Sequence, residues 1–200
     1  MSISIAASTS RAILAIVAAL CLGCASYKTT AKEAQPSEVA RTGHWVMVPG
    51  FPLMLQNGSK ECGAAALSAV LAYWGIRASQ GDIEAASGRV GERLTAGELQ
   101  RFANKAGLSS FVFYGTMDDV VYEVKHGRPV IVGMGKVVEA KKALAHYEVV
   151  VGYELEKKLV LLLDPGRGWQ VDTFEGFARE WAVSKGVTVV AFLSQSDQHG

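Results

Sequence analysis

The chain has 200 residues and is 50% hydrophobic, which is enough to bury a core and excludes a wholly disordered protein. At about 150 residues per domain, this length predicts one domain with short extensions. Twenty lysines and arginines nearly balance 19 aspartates and glutamates, and no dense basic run is present. Because phosphate backbones are bound by concentrated positive charge, we expect no nucleic acid among the partners.

The N-terminal residues have the pattern of an export signal. Arg11 is the first charged side chain, and an apolar stretch at 12–23 follows it. A membrane-spanning helix needs roughly 20 apolar residues, so this stretch is better explained as the hydrophobic part of a cleaved signal.

The end of that stretch, LCLGCAS, resembles a bacterial lipoprotein signal, in which a cysteine after a small residue is lipidated. The resemblance implies a signal peptide over residues 1–24 and a membrane anchor through lipid on Cys24. Cleavage by an ordinary signal peptidase after Ala25 is the alternative. Since no acidic residue directly follows Cys24, the implied location is the bacterial cell envelope, at the outer membrane facing the periplasm.

The rest of the chain divides into three parts. Residues 25–43 are polar and small without an apolar period, which predicts a flexible tether. Residues 44–193 form the predicted domain, and residues 194–200 form a polar tail.

The first half of the predicted domain is helical. A short extended piece precedes an Ala-rich segment, CGAAALSAVLAYWG, that is apolar on all faces from Cys62 onward and therefore predicts a buried helix ending at Gly75. Ser79 or Gln80 begins a second helix, which ends near Gly88. Thr95 and Glu98 form a capping box for a third helix, which Gly107 ends.

The second half is mainly β-structure, so the whole is an α+β domain. A helix is predicted at 117–127, and another carries Phe174, Phe177 and Trp181 on one face. The predicted strands are 109–115, 128–135, 146–153, 158–165 and 187–193.

Cys62 is the candidate nucleophile. If the signal is removed and Cys24 is lipidated, Cys62 is the one free thiol left in the mature chain, in a compartment that favours disulfides. Its place at the start of a helix lowers a thiol's pKa through the unpaired N–H groups and the helix dipole. The alternative is that Cys62 is a small buried hydrophobe.

A nucleophilic cysteine needs a base, and His146 is the candidate. His44 lies near the predicted tether, His199 in the tail, and His126 at a helix C-terminus, where a cation offsets the dipole.

If the strands at 146–153 and 158–165 form a hairpin, facing residues have numbers that sum to about 310 or 311. His146 and Asp164 sum to 310, which predicts that Asp164 faces His146 and fixes its tautomer. Alternatively, Asp164 caps a turn through Pro165.

Gln56, six positions before Cys62, is the candidate donor to an oxyanion. Acyl transfer develops negative charge on the substrate carbonyl oxygen, which a side-chain amide N–H together with a backbone N–H stabilises.

Together, Gln56, Cys62-Gly63, His146-Tyr147 and Asp164-Pro165 resemble the bacteriocin-processing, double-glycine peptidases of the papain-like cysteine peptidases, over residues 56–193. The resemblance implies a papain-like fold with the nucleophile's helix packed on an antiparallel sheet. It also implies that Cys62 is the nucleophile, His146 the base and then acid, Asp164 the orienting group and Gln56 the oxyanion donor.

The predicted function is therefore an exported thiol peptidase that hydrolyses a peptide bond after small or double-glycine residues. A papain-like amidase or acyltransferase and a non-catalytic peptide-binding lipoprotein are the alternatives. No cofactor or metal is expected, since the histidines and cysteines do not cluster at ligand spacing. Nor is a nucleotide expected, because the glycine-rich pieces lack the spacing of a phosphate-binding loop.

Overall fold

The computed structural model describes residues 27–139 and 142–194. The predicted signal peptide with Cys24, and the predicted tail apart from Ser194, lie outside these residues. Across the two described ranges, every helix is too short or too polar to cross a bilayer.

A sheet with only antiparallel pairs organises the described part of the chain. Its hydrogen-bonded order is β1-β7-β6-β5-β4-β8-β3, and β2 pairs with β5 outside this order. The strands are β1 (Lys32–Glu33), β2 (Val46–Met47), β3 (Ser109–Tyr114), β4 (Val130–Glu139), β5 (Lys142–Glu154), β6 (Leu159–Asp164), β7 (Gly168–Thr173) and β8 (Val187–Phe192).

Helices pack on this sheet and on one another. They are α1 (Pro36–Val39), α2 (Cys62–Tyr73), α3 (Gln80–Ser87), α4 (Ala96–Lys105), α5 (Met117–Lys125) and α6 (Phe174–Ala182). Helix α2 contacts β5 and β6, and α3 and α4 pack against α2, whereas α6 contacts β4, β6 and β7. The predicted α+β architecture, with the Cys62 helix packed on an antiparallel sheet, is confirmed.

The core explains why α2 is apolar on all faces. Every residue of α2 from Cys62 to Leu71 is buried, among the buried valines and leucines of β5 and β6. The predicted capping box of α4 is also present, because Thr95 Oγ1 accepts from the Glu98 N–H and the Glu98 carboxylate accepts from the Thr95 N–H.

The prediction of a flexible tether over 25–43, with folding from residue 44, is wrong from Tyr27 onward. Lys32 pairs with Val171 of β7, Val39 lies in the hydrophobic core, and Tyr27 is only 7% exposed. The polar side chains of this segment do not prevent pairing, because β1 joins the sheet through backbone groups that every residue carries. The folded domain therefore begins no later than Tyr27.

Candidate active site

Cys62 begins α2, as the sequence predicts, and is 2% exposed. The first N–H groups of a helix have no acceptor within the helix, so the thiol lies where the backbone favours negative charge. The next residue, Gly63, packs closely against Tyr147. A Cβ at Gly63 would lie 3.1 Å from Tyr147 Cδ2, which explains why a glycine is suited to this position. The Cys-Gly pair thus combines a helix start with close contact to β5.

Three of the predicted site residues form one hydrogen-bonded line. The His146 side chain hydrogen-bonds the Cys62 thiol. Nε2 of His146 also lies 2.7 Å from Oδ1 of Asp164. All three side chains are buried, so this line is shielded from solvent.

The predicted hairpin register is wrong although the His146–Asp164 contact is present. Val149 pairs with Leu163, a sum of 312, and after a bulge between Val150 and Gly152 the partners sum to 313. The turn lies at 155–158, one residue later than predicted. Continuing this register places Asp164 opposite Glu148, so Asp164 reaches His146 diagonally, as a neighbour on the same side of the sheet.

The electrostatics favour a charge-separated thiol and imidazole. Burial by itself would raise the pKa of Cys62, but hydrogen bonds from His146 and the Tyr147 N–H, and the charges of His146 and Arg93, lower it overall. Burial by itself would lower the pKa of His146, yet its contacts with Asp164 and Cys62 raise it to about 10. Each group therefore stabilises the charged form of the other.

Asp164 is held by several donors at once. Oδ1 accepts from His146 and, at 2.8 Å, from the Gly166 N–H, and Oδ2 accepts from the Tyr27 hydroxyl. Burial opposes ionisation, but these donors and the charge of His146 lower the pKa of Asp164 to about 2. Asp164 is consequently an ionised carboxylate over the whole working range of pH.

Gln56 lies beside the turn that follows Asp164. Its backbone N–H donates to the Pro165 carbonyl at 2.8 Å, and its Nε2 donates to the Gly58 carbonyl at 2.8 Å. A Cβ at Gly166 would lie 3.7 Å from Gln56 Oε1 and 3.3 Å from Asp164 Oδ1, which places the amide close to the carboxylate. Since Nε2 carries two hydrogens, one remains for another acceptor.

A buried ion network lies beside the His146–Asp164 pair. The Lys136 ammonium, on a side chain that is 1% exposed, contacts Glu148 Oε1 at 2.6 Å and Glu180 Oε2 at 2.5 Å. Burial raises the pKa of Glu148 despite the attraction of Lys136. This network joins β4, β5 and α6 at the back of the site.

A possible cation site is formed by His146, Glu148 and Asp164, whose ligand atoms lie within 4.8 Å of one another. The donor set does not fit a metal, because the Lys136 ammonium already neutralises Glu148 and Asp164 occupies His146 Nε2. The Lys136 ammonium and the His146–Asp164 hydrogen bond thus occupy the positions that a cation would need.

The remaining described histidines do not join the site. His126 ends α5 as an exposed residue, and its Nδ1 lies 2.7 Å from the Tyr122 carbonyl oxygen. His44 is exposed, and His199 lies outside the described residues.

Sequence reasoning missed Tyr27, Lys136 and Glu148. A signal existed for Glu148, which alternates with His146 and directly precedes the apolar run at 149–151. Lys136 has a weaker signal as a charge directly after the apolar strand predicted at 128–135. Tyr27 has none, because its neighbours are polar and its contacts come from residues more than 100 positions away.

A model of the Peptidase_C39 like family matches residues 48–189. The chain belongs to the Peptidase_C39 like family. This membership confirms the predicted cysteine peptidase and the resemblance on which that prediction depended. No curated protein matches this C39-like peptidase significantly.

Solved structures share the fold of this C39-like peptidase. The peptidase domain of Streptococcus ComA, a bifunctional ABC transporter of a quorum-sensing pathway, has a TM-score of 0.57 and 22% identity, covering 72% of this chain and 99% of that one. A putative C39-like peptidase from Bacillus anthracis has a TM-score of 0.60 and 16% identity, covering 76% and 98%. A double-glycine motif protease from an AMS/PCAT transporter, solved with the leader peptide, has a TM-score of 0.54 and 21% identity, covering 72% and 91%. The predicted papain-like fold is confirmed.

Proposed function

We propose that this C39-like peptidase is an exported, lipid-anchored enzyme that hydrolyses a peptide bond through Cys62, His146 and Asp164. One observation carries the proposal: these side chains form a buried hydrogen-bonded line in which the thiol pKa is lowered and the imidazole pKa is about 10. That electrostatic arrangement supports a resting thiolate–imidazolium pair, the activated form of a cysteine nucleophile.

In the first half of the reaction, the Cys62 thiolate attacks the carbonyl carbon of the scissile bond. The oxyanion that forms accepts from the Cys62 backbone N–H and from the Nε2 hydrogen that Gln56 does not donate to Gly58. Collapse of this intermediate breaks the C–N bond, and the His146 imidazolium gives its proton to the leaving amine. The product is a thioester on Cys62 and a neutral imidazole.

In the second half, His146 takes a proton from water, and the resulting hydroxide attacks the thioester carbonyl. The C–S bond breaks and the acid product leaves. His146 keeps the proton that it took from water, so an imidazolium again lies beside the Cys62 thiolate. Asp164 stays ionised throughout and keeps the imidazole in one orientation. Atoms and charge balance without a cofactor.

We propose that the substrate is a peptide cleaved after small or double-glycine residues. The transporter-derived neighbour was solved with its leader peptide, which supports a peptide substrate for this fold. The burial of Cys62 and His146 supports a small residue at the cut. A glycine, which has no Cβ, lets the substrate backbone approach a buried thiol most closely.

Hydrolysis of synthetic peptides in H₂¹⁸O tests this function. Two otherwise identical peptides carry Gly-Gly or Leu-Leu at the centre, and products are read by mass spectrometry. We expect cleavage of the Gly-Gly peptide with one ¹⁸O in the new carboxylate, and no cleavage by Cys62→Ala. Transfer of the acyl group to an added amine without ¹⁸O would identify an acyltransferase instead, and equal cleavage by Cys62→Ala would refute the thiol mechanism.

The lipid anchor would place this reaction at a membrane surface. Tyr27 is fixed against Asp164 and follows Cys24 by three residues. An extended chain spans at most about 3.6 Å per residue, so a lipidated Cys24 would lie within about 11 Å of Tyr27. We therefore propose that the enzyme acts on peptides at the periplasmic face of the outer membrane.

Labelling with an alkynyl fatty acid tests the anchor. The wild-type chain and Cys21→Ala should incorporate the label, and Cys24→Ala should not. Cleavage by an ordinary signal peptidase would instead give an unlabelled chain that begins at Ser26, which N-terminal mass spectrometry identifies.

A further inference from the structure

The residues that precede the family match lie across the rear of the active site. We call residues 27–34 the strap. The Lys28 N–H donates to the Val137 carbonyl at 2.8 Å, and the Ala34 N–H donates to the Trp169 carbonyl at 3.1 Å. Between them, Thr30 Oγ1 donates to Asp172 Oδ2 at 2.9 Å. The strap is thus fixed to the sheet along its length.

Tyr27 is the point at which the strap enters the site. Its hydroxyl donates to Asp164 Oδ2, and its ring centroid lies 5.5 Å from that of His146. The Arg167 guanidinium covers the same ring at 4.0 Å and donates to the Tyr27 carbonyl. One side chain therefore touches two members of the line and is itself held in place.

Among residues 27–139 and 142–194, only Tyr27 is seen to donate to Asp164 Oδ2. Oδ1 already accepts from His146 and from the Gly166 N–H, so Oδ2 depends on the Tyr27 hydroxyl. A buried carboxylate oxygen without a donor is costly, and the carboxyl responds by rotating or by taking up a proton. Either response weakens its hold on the imidazolium.

The charges around Asp164 make a neutral donor suitable. Glu148 and His146 face it from β5, Lys136 lies 5.5 Å from the centre of the Tyr27 ring, and Arg167 follows β6. Burial and the negative charge of Asp164 raise the pKa of Tyr27, so its hydroxyl remains protonated and able to donate. Tyr27 thereby satisfies Oδ2 without adding another full charge to this buried cluster.

We propose that Tyr27 is a positioning residue that fixes Asp164 against His146, so that the strap contributes one residue to the active site. The family match begins at residue 48, so Tyr27 lies outside the matched residues. This inference rests on the proposed function, because it assigns Tyr27 to the thiolate–imidazolium pair described there.

Alkylation of Cys62 by iodoacetamide, measured against pH in the full chain by peptide mass spectrometry, tests the inference. Tyr27→Phe keeps the ring and removes the donor. We expect the midpoint of its profile to shift to higher pH by about one pKa unit, with about tenfold slower alkylation at pH values below the wild-type midpoint. A profile that superimposes on that of the wild type would overturn the inference.

Two variants separate positioning from a merely structural role. Tyr73→Phe removes a hydroxyl that donates to the Gly127 carbonyl, far along α2 from Cys62. Thr30→Val removes a strap contact that does not touch the line. Both should lower the thermal unfolding midpoint without moving the pH profile, and an equal shift in either would contradict the assignment to Tyr27. A wild-type thiol that titrates as a free cysteine would instead refute the proposed function itself.

Discussion

The two sides of His146 are built differently. On the thiol side, Cys62 at the start of α2 accepts hydrogen bonds from two adjacent residues of β5, the His146 side chain and the Tyr147 N–H. On the carboxylate side, Asp164 accepts from His146, the Gly166 N–H and Tyr27 of the strap, and the buried ion network that joins β4, β5 and α6 lies beside it. The thiol side is therefore built from one helix start and one strand, whereas the carboxylate side also depends on buried charge and on the strap.

Replacing Asp164 by Asn should have the largest effect of the substitutions on the carboxylate side. Asparagine keeps the shape but loses the charge that stabilises the imidazolium, so the carboxylate side alone is removed. We expect peptide hydrolysis to fall by about 10³–10⁴-fold, as in other catalytic triads. The rate of Gly-Gly peptide cleavage measures this. A loss below tenfold would mean that the thiol side functions without the carboxylate.

Lys136→Met tests the ion network on the same side. It leaves Glu148 and Glu180 as buried carboxylates without a cation, which costs about 3–5 kcal/mol of unfolding free energy. Urea unfolding measures the loss.

Combining Lys136→Met with Glu148→Gln and Glu180→Gln removes the charges together, and most of the stability should return. Arg179→Met, which breaks an exposed pair with Glu175, is the control and should cost under about 1 kcal/mol. Similar losses for Lys136→Met and Arg179→Met would show that burial of the network has no energetic consequence.

Gly63→Ala tests the thiol side of His146, and we expect it to have a smaller effect. The added methyl group would lie 3.1 Å from Tyr147 Cδ2 and force the ring and its strand away from α2. We expect a loss of about 1–3 kcal/mol in urea unfolding, together with slower alkylation of Cys62.

Gly97→Ala is the matched control. It lies in α4, and its Cβ would meet only Arg101 Nη1 at 3.6 Å, so it should gain about 0.5–1 kcal/mol through helix propensity. If Gly63→Ala stabilised the protein as much as Gly97→Ala, the close contact between Gly63 and Tyr147 would not be required to hold α2 against β5.

The elements and the reactive residues were predictable because their signals are local. The apolar helix that starts at Cys62, the Thr95–Glu98 capping box and the valine-rich strands each encode their own structure. The hairpin register was not predictable, since the bulge between Val150 and Gly152 and the later turn depend on tertiary contacts.

The strap shows a second limit of sequence reasoning. Its polar composition predicted a tether, but its backbone pairs with β7 and Tyr27 reaches Asp164 across 137 positions. Hydrophobic periodicity cannot detect a segment that is held by backbone pairing and by a few long-range hydrogen bonds. The same applies to Lys136, whose buried partners lie on other elements.

A thiolate–imidazolium pair of Cys62 and His146 is the basis of the proposed reaction. The most direct test is the rate of Cys62 alkylation against pH in the full chain, compared between wild type and His146→Ala. We expect the Cys62 thiol to be alkylated well below pH 7 in the wild type and to lose that reactivity in His146→Ala. A rate that rises only near the free-thiol pKa of about 8.5, unchanged by His146→Ala, would contradict it.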